Sequence, residues 1–225
     1  MRLQAGRLLC DDTVLALLAG QPPKSELLLQ AVSGSSYLAA ADGGAAIALS
    51  VGRRPDLLIG DFDSLSAARL AECREAGCEI LTLPAAKDLT DGEFLLQTLY
   101  ERGWRRFLIL GALGGRIDQM LANISCAEKL AREEAEVLLI HDDVLLCPLY
   151  AENEPRELTL YGFGGKTLSL LSLSEVCDKI ELSGFEYSLN GTLARRQTLG
   201  ISNVVRSEAA TIRLTGGSLL VCLNL

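Results

Sequence analysis

The stretch 55–65, PDLLIGDFDSL, combines a predicted buried strand with two acidic residues. Its apolar run 57–59 ends at a glycine, and two aspartates, Asp61 and Asp63, follow directly. A short apolar run bounded by turn residues predicts a buried strand. In a strand, residues i and i+2 point the same way, so these two carboxylates would repel each other unless a positive group lies between them or one of them pairs elsewhere.

The same pattern of apolar runs and helical segments extends through the first two thirds of the chain. Strands are predicted at 13–19, 37–41, 57–59, 79–83, 106–110 and 137–141. Helices are predicted at 24–33, 45–51, 66–76, 91–102 and 117–134. Strands that alternate with helices predict an α/β fold with a parallel sheet covered on both faces.

The pattern changes after Tyr150. The polar segment 151–157, AENEPRE, is typical of a linker, and short strand-like runs with turn residues follow it. These runs lie at 158–161, 167–173, 179–182, 193–195, 210–214 and 219–223. We therefore expect an α/β domain at 1–150 and a small all-β sandwich or barrel domain at 151–225.

The bulk composition limits the partners. A net charge of −8 and a pI of about 4.8 argue against a nucleic-acid surface. An acidic chain can bind ATP through a metal ion, and it suits a cationic substrate. No stretch approaches the roughly 18–20 apolar residues of a membrane span, so no membrane partner is expected. The seven cysteines are scattered without a metal or disulfide pattern, which favours reduced thiols and a cytoplasmic location.

Charged side chains follow four successive predicted strands. Because ligands bind at the carboxyl ends of parallel strands, these side chains are expected to meet at one edge of the sheet. Carboxylates arranged in this way bind Mg²⁺, and basic residues beside them would bind the phosphates of a nucleotide. The residues are Asp42, Asp61, Asp63, Lys87, Asp88, Asp91, Arg116 and Asp118. Gly114 and Gly115, before the helix at 117, offer free backbone N–H groups to a phosphate.

Two other functions fit part of this pattern. A strand followed by D-x-D is also found in phosphatases of the haloacid dehalogenase type, in which the first aspartate is a nucleophile. A non-catalytic protein that binds a nucleotide or a cationic small molecule is the second alternative. The single histidine, His141, lacks a histidine or cysteine partner at metal-ligand spacing, so we expect it to be structural.

Five motifs occur in the order found in the thiamine pyrophosphokinases, and the chain resembles that family from about residue 39 to 205. The motifs are AADGGA, PDLLIGDFDSL, KDLTDGE, GGRIDQMLANI and SLNGTLARRQTLGISN. The resemblance implies an α/β ATP-binding catalytic domain, a β-sandwich thiamine-binding domain, and a homodimer with the thiamine site between subunits. It also implies transfer of a pyrophosphoryl group from ATP to the hydroxyl of thiamine, giving thiamine diphosphate and AMP, with Mg²⁺ required.

The resemblance assigns roles to individual positions. Asp61, Asp63 and Asp91 match the metal ligands, and Asp42 and Asp88 match polar residues that orient the site. Thr90, Arg116 and Asp118 match ATP contacts, with Lys87 beside them. Ser202 matches the contact to the aminopyrimidine of thiamine, and Asn203 is next to it.

The chain departs from the family pattern at two points. Gln119 stands where many bacterial members have histidine, although glutamine also occurs in the family. The aromatic residue that stacks on thiamine in some members has no counterpart in LARRQTLGISN, and the only tryptophan, Trp104, lies in the other domain. The way in which the thiamine ring is held is therefore not assigned.

Overall fold

The computed structural model describes residues 1–7, 9–63, 65–84 and 88–225. The first elements along the chain are β1 (Arg2–Gln4), β2 (Thr13–Leu17), α1 (Ser25–Gly34), β3 (Tyr37–Ala41), α2 (Gly44–Ser50), β4 (Leu57–Gly60), α3 (Ala67–Glu75), β5 (Glu79–Thr82), α4 (Asp91–Glu101), β6 (Arg106–Leu110), α5 (Ile117–Arg132) and β7 (Glu136–His141). The remaining elements are β8 (Val144–Ala151), β9 (Arg156–Tyr161), β10 (Thr167–Ser172), β11 (Val176–Ser183), β12 (Asn190–Ala194), β13 (Asn203–Val204), β14 (Ala209–Leu214) and β15 (Gly217–Asn224).

The chain divides into two compact units. The α/β unit comprises Leu9–Cys126 and Leu139–Asp142, and the β unit comprises the N-terminal segment with β1, Ala127–Leu138 and Asp143–Leu225. This division differs from the expected boundary after residue 150. Strand β8 pairs along its whole length with β15, and β1 pairs with β9, so backbone pairing assigns both to the β unit. The composition along the sequence does not show which distant segments pair as strands, so it could not predict this boundary.

The α/β unit contains the predicted parallel sheet. Its strands follow the order β7-β6-β2-β3-β4-β5, and β2 pairs in parallel with both β3 and β6. The β3–β4 and β4–β5 pairs are parallel as well. Every residue of β2 and β4 is buried, as expected for strands covered on both faces. The predicted fold class is confirmed.

The order of the strands creates a crevice. From β2 the chain adds β3, β4 and β5 on one side, and then returns to place β6 on the other side of β2. The segments that follow β2 and its two neighbours, β3 and β6, lead away in opposite directions and leave a space at the carboxyl ends of these strands. The loops that follow β2, β3, β4 and β6 therefore surround one opening.

The helix ends follow local signals in the sequence. Ser66 caps α3 by accepting a 3.4 Å hydrogen bond from the N–H of Arg69. At the other end of α3, the N–H of Gly77 donates to the carbonyl of Arg74, and Gly77 has a left-handed φ of 81°. No helix in the described part of the chain is long and apolar enough to cross a membrane.

The strands of the β unit pair in two sets. One has the strand order β13-β10-β15-β8 and the other the order β1-β9-β14-β11-β12. Buried and more exposed residues alternate along β10 and β14, which is the pattern of strands with one face towards a core. The linker expected at 151–157 is a short turn between β8 and β9.

The sequence analysis did not predict β1, β8 and β13. Strand β8 has Pro148 near its middle, opposite Leu220 of β15, and a proline argues against a strand because it removes a backbone donor. Strands β1 and β13 are only three and two residues long and carry too little pattern to be recognised.

Candidate active site

Three carboxylates converge at the ends of neighbouring strands. Asp42 follows β3, and Asp61 and Asp63 follow β4. One oxygen of each carboxylate lies within 4.8 Å of those of the other two. Asp42 and Asp61 are partly buried, whereas Asp63 is exposed. Three oxygens at this spacing form a donor set that suits a hard divalent cation.

The backbone around these acids is unusual. Asp42 and Phe62 both have left-handed conformations, with φ angles of 43° and 63°. Such conformations are uncommon for residues other than glycine and concentrate at functional sites. The N–H of Asp42 is fixed by a 2.8 Å hydrogen bond to the carbonyl of Ile59, which ties the end of β3 to β4.

The D-x-D pair does not lie in a strand. Strand β4 ends at Gly60, and Phe62 turns the chain while its side chain is 9% exposed. The N–H of Asp63 donates a 3.3 Å hydrogen bond to Oδ1 of Asp61. The two acids are therefore brought together by a turn, and not by the alternation of a strand that the sequence analysis assumed.

An open crevice of about 610 Å³ lies next to these acids, within the α/β unit. This volume is in the range of small-molecule binding sites. It is bordered by the loops after β2, β3, β4 and β6 and by the first turns of α4 and α5. Its lining residues are Leu18, Ala19, Gly20, Gln21, Ala41, Asp42, Asp61, Leu89, Thr90, Asp91, Gly92, Gly111, Ala112, Gly114, Gly115, Arg116, Gln119 and Asn123.

Helix α4 brings a further predicted residue to the crevice. Asp91 is the first residue of the helix, and Thr90 caps it by accepting a 3.1 Å hydrogen bond from the N–H of Glu93. Thr90 and Asp91 both line the crevice, but Asp91 is not one of the three clustered carboxylates. Asp88 is exposed and is not a lining residue, and Lys87 lies outside the described residues.

Arg116 lines the crevice immediately before α5. Its guanidinium donates two hydrogen bonds, of 3.1 and 2.5 Å, to the carboxylate of Asp118. These hydrogen bonds hold the pKa of the Asp118 carboxyl below its usual value. The side chain of Arg116 is 72% exposed, so its guanidinium can exchange this partner for a phosphate group without loss of packing.

The predicted thiamine contacts lie in the β unit. Ser202 is exposed, with a left-handed φ of 61°, and its N–H donates to Oγ of Ser169 at 3.1 Å. Asn203 is buried, and its carboxamide bonds the N–H and carbonyl of Tyr187 at 3.0 and 2.7 Å. Asn203 therefore ties its own segment to the backbone of Tyr187. Direct contact of Ser202 or Asn203 with thiamine stays a prediction.

Several lining residues were not identified from the sequence. Leu18–Gln21 follow β2, and Asn123 lies on α5. For Leu18–Gln21, the only signal in the sequence was their position at the end of a predicted strand. Nδ2 of Asn123 donates a 2.8 Å hydrogen bond to the carbonyl of Ala112, which fixes the loop after β6. A lone amide on a helix carries no recognisable pattern, so only the structure identifies this contact.

Two family models match the chain in sequence order. Residues 28–139 match the catalytic domain of thiamin pyrophosphokinase, and residues 153–219 match its vitamin B1 binding domain. The thiamine pyrophosphokinase of Bacillus subtilis (strain 168) is 28% identical over 184 residues, which cover 80% of this chain and 83% of that protein. Thiamine pyrophosphokinase 1 of Oryza sativa subsp. japonica is 24% identical over 176 residues, covering 75% of this chain and 65% of that protein.

Solved structures show the same fold. The thiamin pyrophosphokinase of Geobacillus thermodenitrificans has a TM-score of 0.79 at 25% identity, covering 95% of this chain and 97% of that chain. The yeast thiamin pyrophosphokinase has a TM-score of 0.74 at 14% identity, covering 99% of this chain and 90% of that chain. Both domain models, in order and over most of the sequence, establish that the chain belongs to the thiamine pyrophosphokinase family.

Proposed function

We propose that this chain transfers a pyrophosphoryl group from ATP to the hydroxyl of thiamine, giving thiamine diphosphate and AMP. The observation that carries the proposal is the carboxylate cluster of Asp42, Asp61 and Asp63 beside a crevice of about 610 Å³, in a chain that matches both domains of the family. In the reaction, the thiamine hydroxyl oxygen bonds to the β-phosphorus. The bond from that phosphorus to the oxygen bridging to the α-phosphate breaks, AMP leaves with the bridging oxygen, and the hydroxyl proton is released to solvent.

Asp61 and Asp63 are proposed ligands of Mg²⁺. The family resemblance suggests Asp91 as the third ligand, but the spacing of the carboxylates favours Asp42, because its oxygen lies within 4.8 Å of the other two. Asp91 lines the same crevice and would approach the cation from α4. A bound Mg²⁺ would neutralise phosphate charge and make the β-phosphorus more electrophilic.

The remaining chemistry is binding and orientation. Phosphoryl-type transfer needs aligned reactants and neutralised charge more than covalent catalysis. Arg116 supplies a fixed positive charge, and the N–H groups at Gly115 and at the start of α5 offer hydrogen bonds to phosphate oxygens. Lys87, Thr90 and Asp118 remain proposed ATP contacts. Asp88 is proposed to orient the reactants, which is also the role that the family resemblance suggests for Asp42.

Thiamine carries a positive charge, which the net charge of −8 attracts. Ser202 in the β unit, with Asn203 beside it, is the proposed recognition site for its aminopyrimidine. We propose a homodimer with the thiamine site between subunits, as the family resemblance suggests. A cytoplasmic location is proposed because no disulfide joins any of the seven cysteines, all of which are described.

The test is AMP formation by the purified protein with ATP and Mg²⁺, with and without thiamine. The proposal expects AMP and thiamine diphosphate in equal amounts, only when thiamine is present, and loss of both with EDTA. ADP in place of AMP would indicate a simple kinase. Inorganic phosphate released without thiamine would support the phosphatase alternative. Binding of thiamine without turnover, measured by calorimetry, would support a non-catalytic binding protein.

A further inference from the structure

Two cysteines lie where α3 ends and β5 begins. Cys73 is in the last turn of α3, and Cys78 directly precedes β5. The side chain of Cys73 is fully buried, whereas Cys78 is half-buried and can be reached from solvent. Neither residue lines the crevice or belongs to the carboxylate cluster. No disulfide joins the two in the structure, which therefore describes their reduced form.

The backbone at the end of α3 brings these two residues together. The N–H of Cys78 donates a 3.0 Å hydrogen bond to the carbonyl of Cys73, and the N–H of Gly77 donates a 3.0 Å bond to the carbonyl of Arg74. With the left-handed φ of 81° at Gly77, these two bonds form a Schellman motif. In this motif, the side chains at the two ends of the wider hydrogen-bonded ring commonly contact each other. Those two positions are occupied here by cysteines.

The ionisation of the two thiols fits their burial and proximity. Burial raises the pKa of the Cys78 thiol to about 12, and the neighbouring thiol of Cys73 is the next cause. Burial also raises the pKa of the Cys73 thiol, with Glu72 as the second cause, while Arg54 opposes the shift. Because the thiolate is the attacking species, thiols of this kind exchange slowly at neutral pH. A thiol with a raised pKa is also a poor leaving group, so a disulfide between them would be reduced slowly.

We propose that Cys73 and Cys78 form an intramolecular disulfide when oxidised glutathione, or another small disulfide, reacts with the folded chain, and that this bond fixes the end of α3 to the start of β5. The thiol of Cys78 loses its proton and attacks one sulfur of the reagent, and the departing thiolate takes up a proton. The thiol of Cys73 then attacks the sulfur of Cys78 and releases the second small thiol. The chain thereby loses two electrons and two protons, and the small disulfide gains them as two thiols.

This modification is independent of the proposed function. Helix α3 has nine residues, so the cysteines lie roughly 13 Å along the helix from its first residue, which follows the acidic turn. The last turn of a helix frays, so it can adjust to the geometry of a disulfide. A cross-link also restricts the unfolded chain. We therefore expect the oxidised protein to unfold at a temperature higher by about 4–8 °C.

The test is oxidation of the folded, purified protein with excess oxidised glutathione, followed by blocking of the remaining thiols and digestion with trypsin. Cleavage after Arg74 separates the two cysteines, because it yields the peptides 70–74 and 75–87. A disulfide between them keeps these peptides joined, with a mass lower than their sum by two hydrogen atoms. We expect this joined pair to be the main disulfide product and to disappear after reduction with dithiothreitol.

Three variants distinguish this pair from the other cysteines. Cys78→Ser removes the attacking thiol, and it should give neither joined peptides nor a higher unfolding temperature after oxidation. Cys73→Ala removes the second thiol, so the reaction should stop at a mixed disulfide of Cys78 with glutathione, which mass spectrometry detects. Cys10→Ser changes an exposed cysteine of the same unit and is the control, which should behave as the wild type.

The peptide map of the wild type decides the proposal even if a variant fails to fold. Peptides 70–74 and 75–87 that stay separate after oxidation overturn it, as does glutathione that remains attached to Cys78 beside a reduced Cys73. Joined peptides that form only in urea also overturn it, because the folded chain would then not bring the two sulfurs together. Joined peptides without a higher unfolding temperature refute the fixing of α3 to β5.

Discussion

The N–H of Gly20 donates a 3.0 Å hydrogen bond to the carbonyl of Gly111, which joins the loops after β2 and β6 at the floor of the crevice. Neither position has room for a side chain. A Cβ at Gly20 would lie 2.3 Å from the carbonyl oxygen of Gly111, and a Cβ at Gly111 would lie 2.3 Å from that of Leu18. Glycine at these two positions therefore allows the loops after β2 and β6 to approach each other closely beside the crevice.

Gly111→Ala should consequently destabilise the protein. The added methyl group clashes with the Leu18 carbonyl, and the φ of 70° at Gly111 is strained for alanine. We expect a loss of more than about 2 kcal/mol in the free energy of unfolding, measured with urea. Gly52→Ala is the control, because Gly52 has a similar φ of 75° but nothing within 4 Å of an added Cβ. It should cost about 1 kcal/mol, and an equal loss in both variants would contradict the role of the close contact.

The carboxylate cluster leads to a prediction about metal dependence. Asp63→Asn should lower kcat by roughly 100-fold and leave the unfolding temperature unchanged, because Asp63 is exposed and would lose a charged metal ligand. The measurement is thiamine diphosphate formation as a function of Mg²⁺ concentration. Asp11→Asn neutralises another exposed acid of the α/β unit and should behave as the wild type. Near-normal turnover of Asp63→Asn would refute the metal role.

The same titration decides between Asp42 and Asp91 as the third ligand. The carboxylate of Asp42 belongs to the cluster within 4.8 Å, and that of Asp91 does not. Asp42→Asn is therefore expected to raise the Mg²⁺ concentration for half-maximal activity more than Asp91→Asn does. The opposite order would support the ligand set implied by the family resemblance.

Arg116 is expected to act on the donor and not on the fold. Its side chain is 72% exposed and that of its partner Asp118 is 66% exposed, so Arg116→Gln should leave the unfolding temperature unchanged. Loss of a charged contact to phosphate should lower kcat/KM for ATP about tenfold or more, with KM for thiamine unaffected. Arg74→Gln, at the exposed end of α3, is a control for loss of one positive charge. Equal effects of the two variants would mean that Arg116 contributes only to the overall charge.

A surface ion pair gives a prediction about acid stability. Arg102 donates two hydrogen bonds of 2.7 Å to the carboxylate of Glu79, and these hold the pKa of Glu79 below its usual value. A carboxyl with a lowered pKa in the folded state stabilises the protein above its unfolded pKa, and this contribution is lost as the pH falls through the folded pKa. Glu79→Gln should therefore cost less than about 1 kcal/mol at pH 7, because the pair is half exposed.

The difference in the free energy of unfolding between the wild type and Glu79→Gln should shrink as the pH falls below about 4. Urea unfolding at several pH values measures it. Glu75→Gln, on the exposed last turn of α3, should show no comparable dependence on pH. A difference that grows towards low pH would contradict the ion pair as its origin.

The sequence alone determined the element order of the α/β unit and the edge of the sheet at which its acids gather. Buried strands such as β3 and β6 are continuous apolar runs, and their bounds agree with the prediction because burial on both faces demands such runs. Asp42, Asp61 and Asp63 could be assigned to one edge because parallel strands all end on the same side of a sheet.

Which of these groups lie close together depends on the tertiary structure. The left-handed turns at Asp42 and Phe62 bring three carboxylates within 4.8 Å, and nothing in the local pattern favours Asp42 over Asp91 as their neighbour. The assignment of β8 to the β unit depends on pairing between segments far apart in the chain. The periodicity of apolar residues indicates which side of a helix or strand is buried. It does not indicate which other helix or strand packs against that side, because those partners are distant in the sequence.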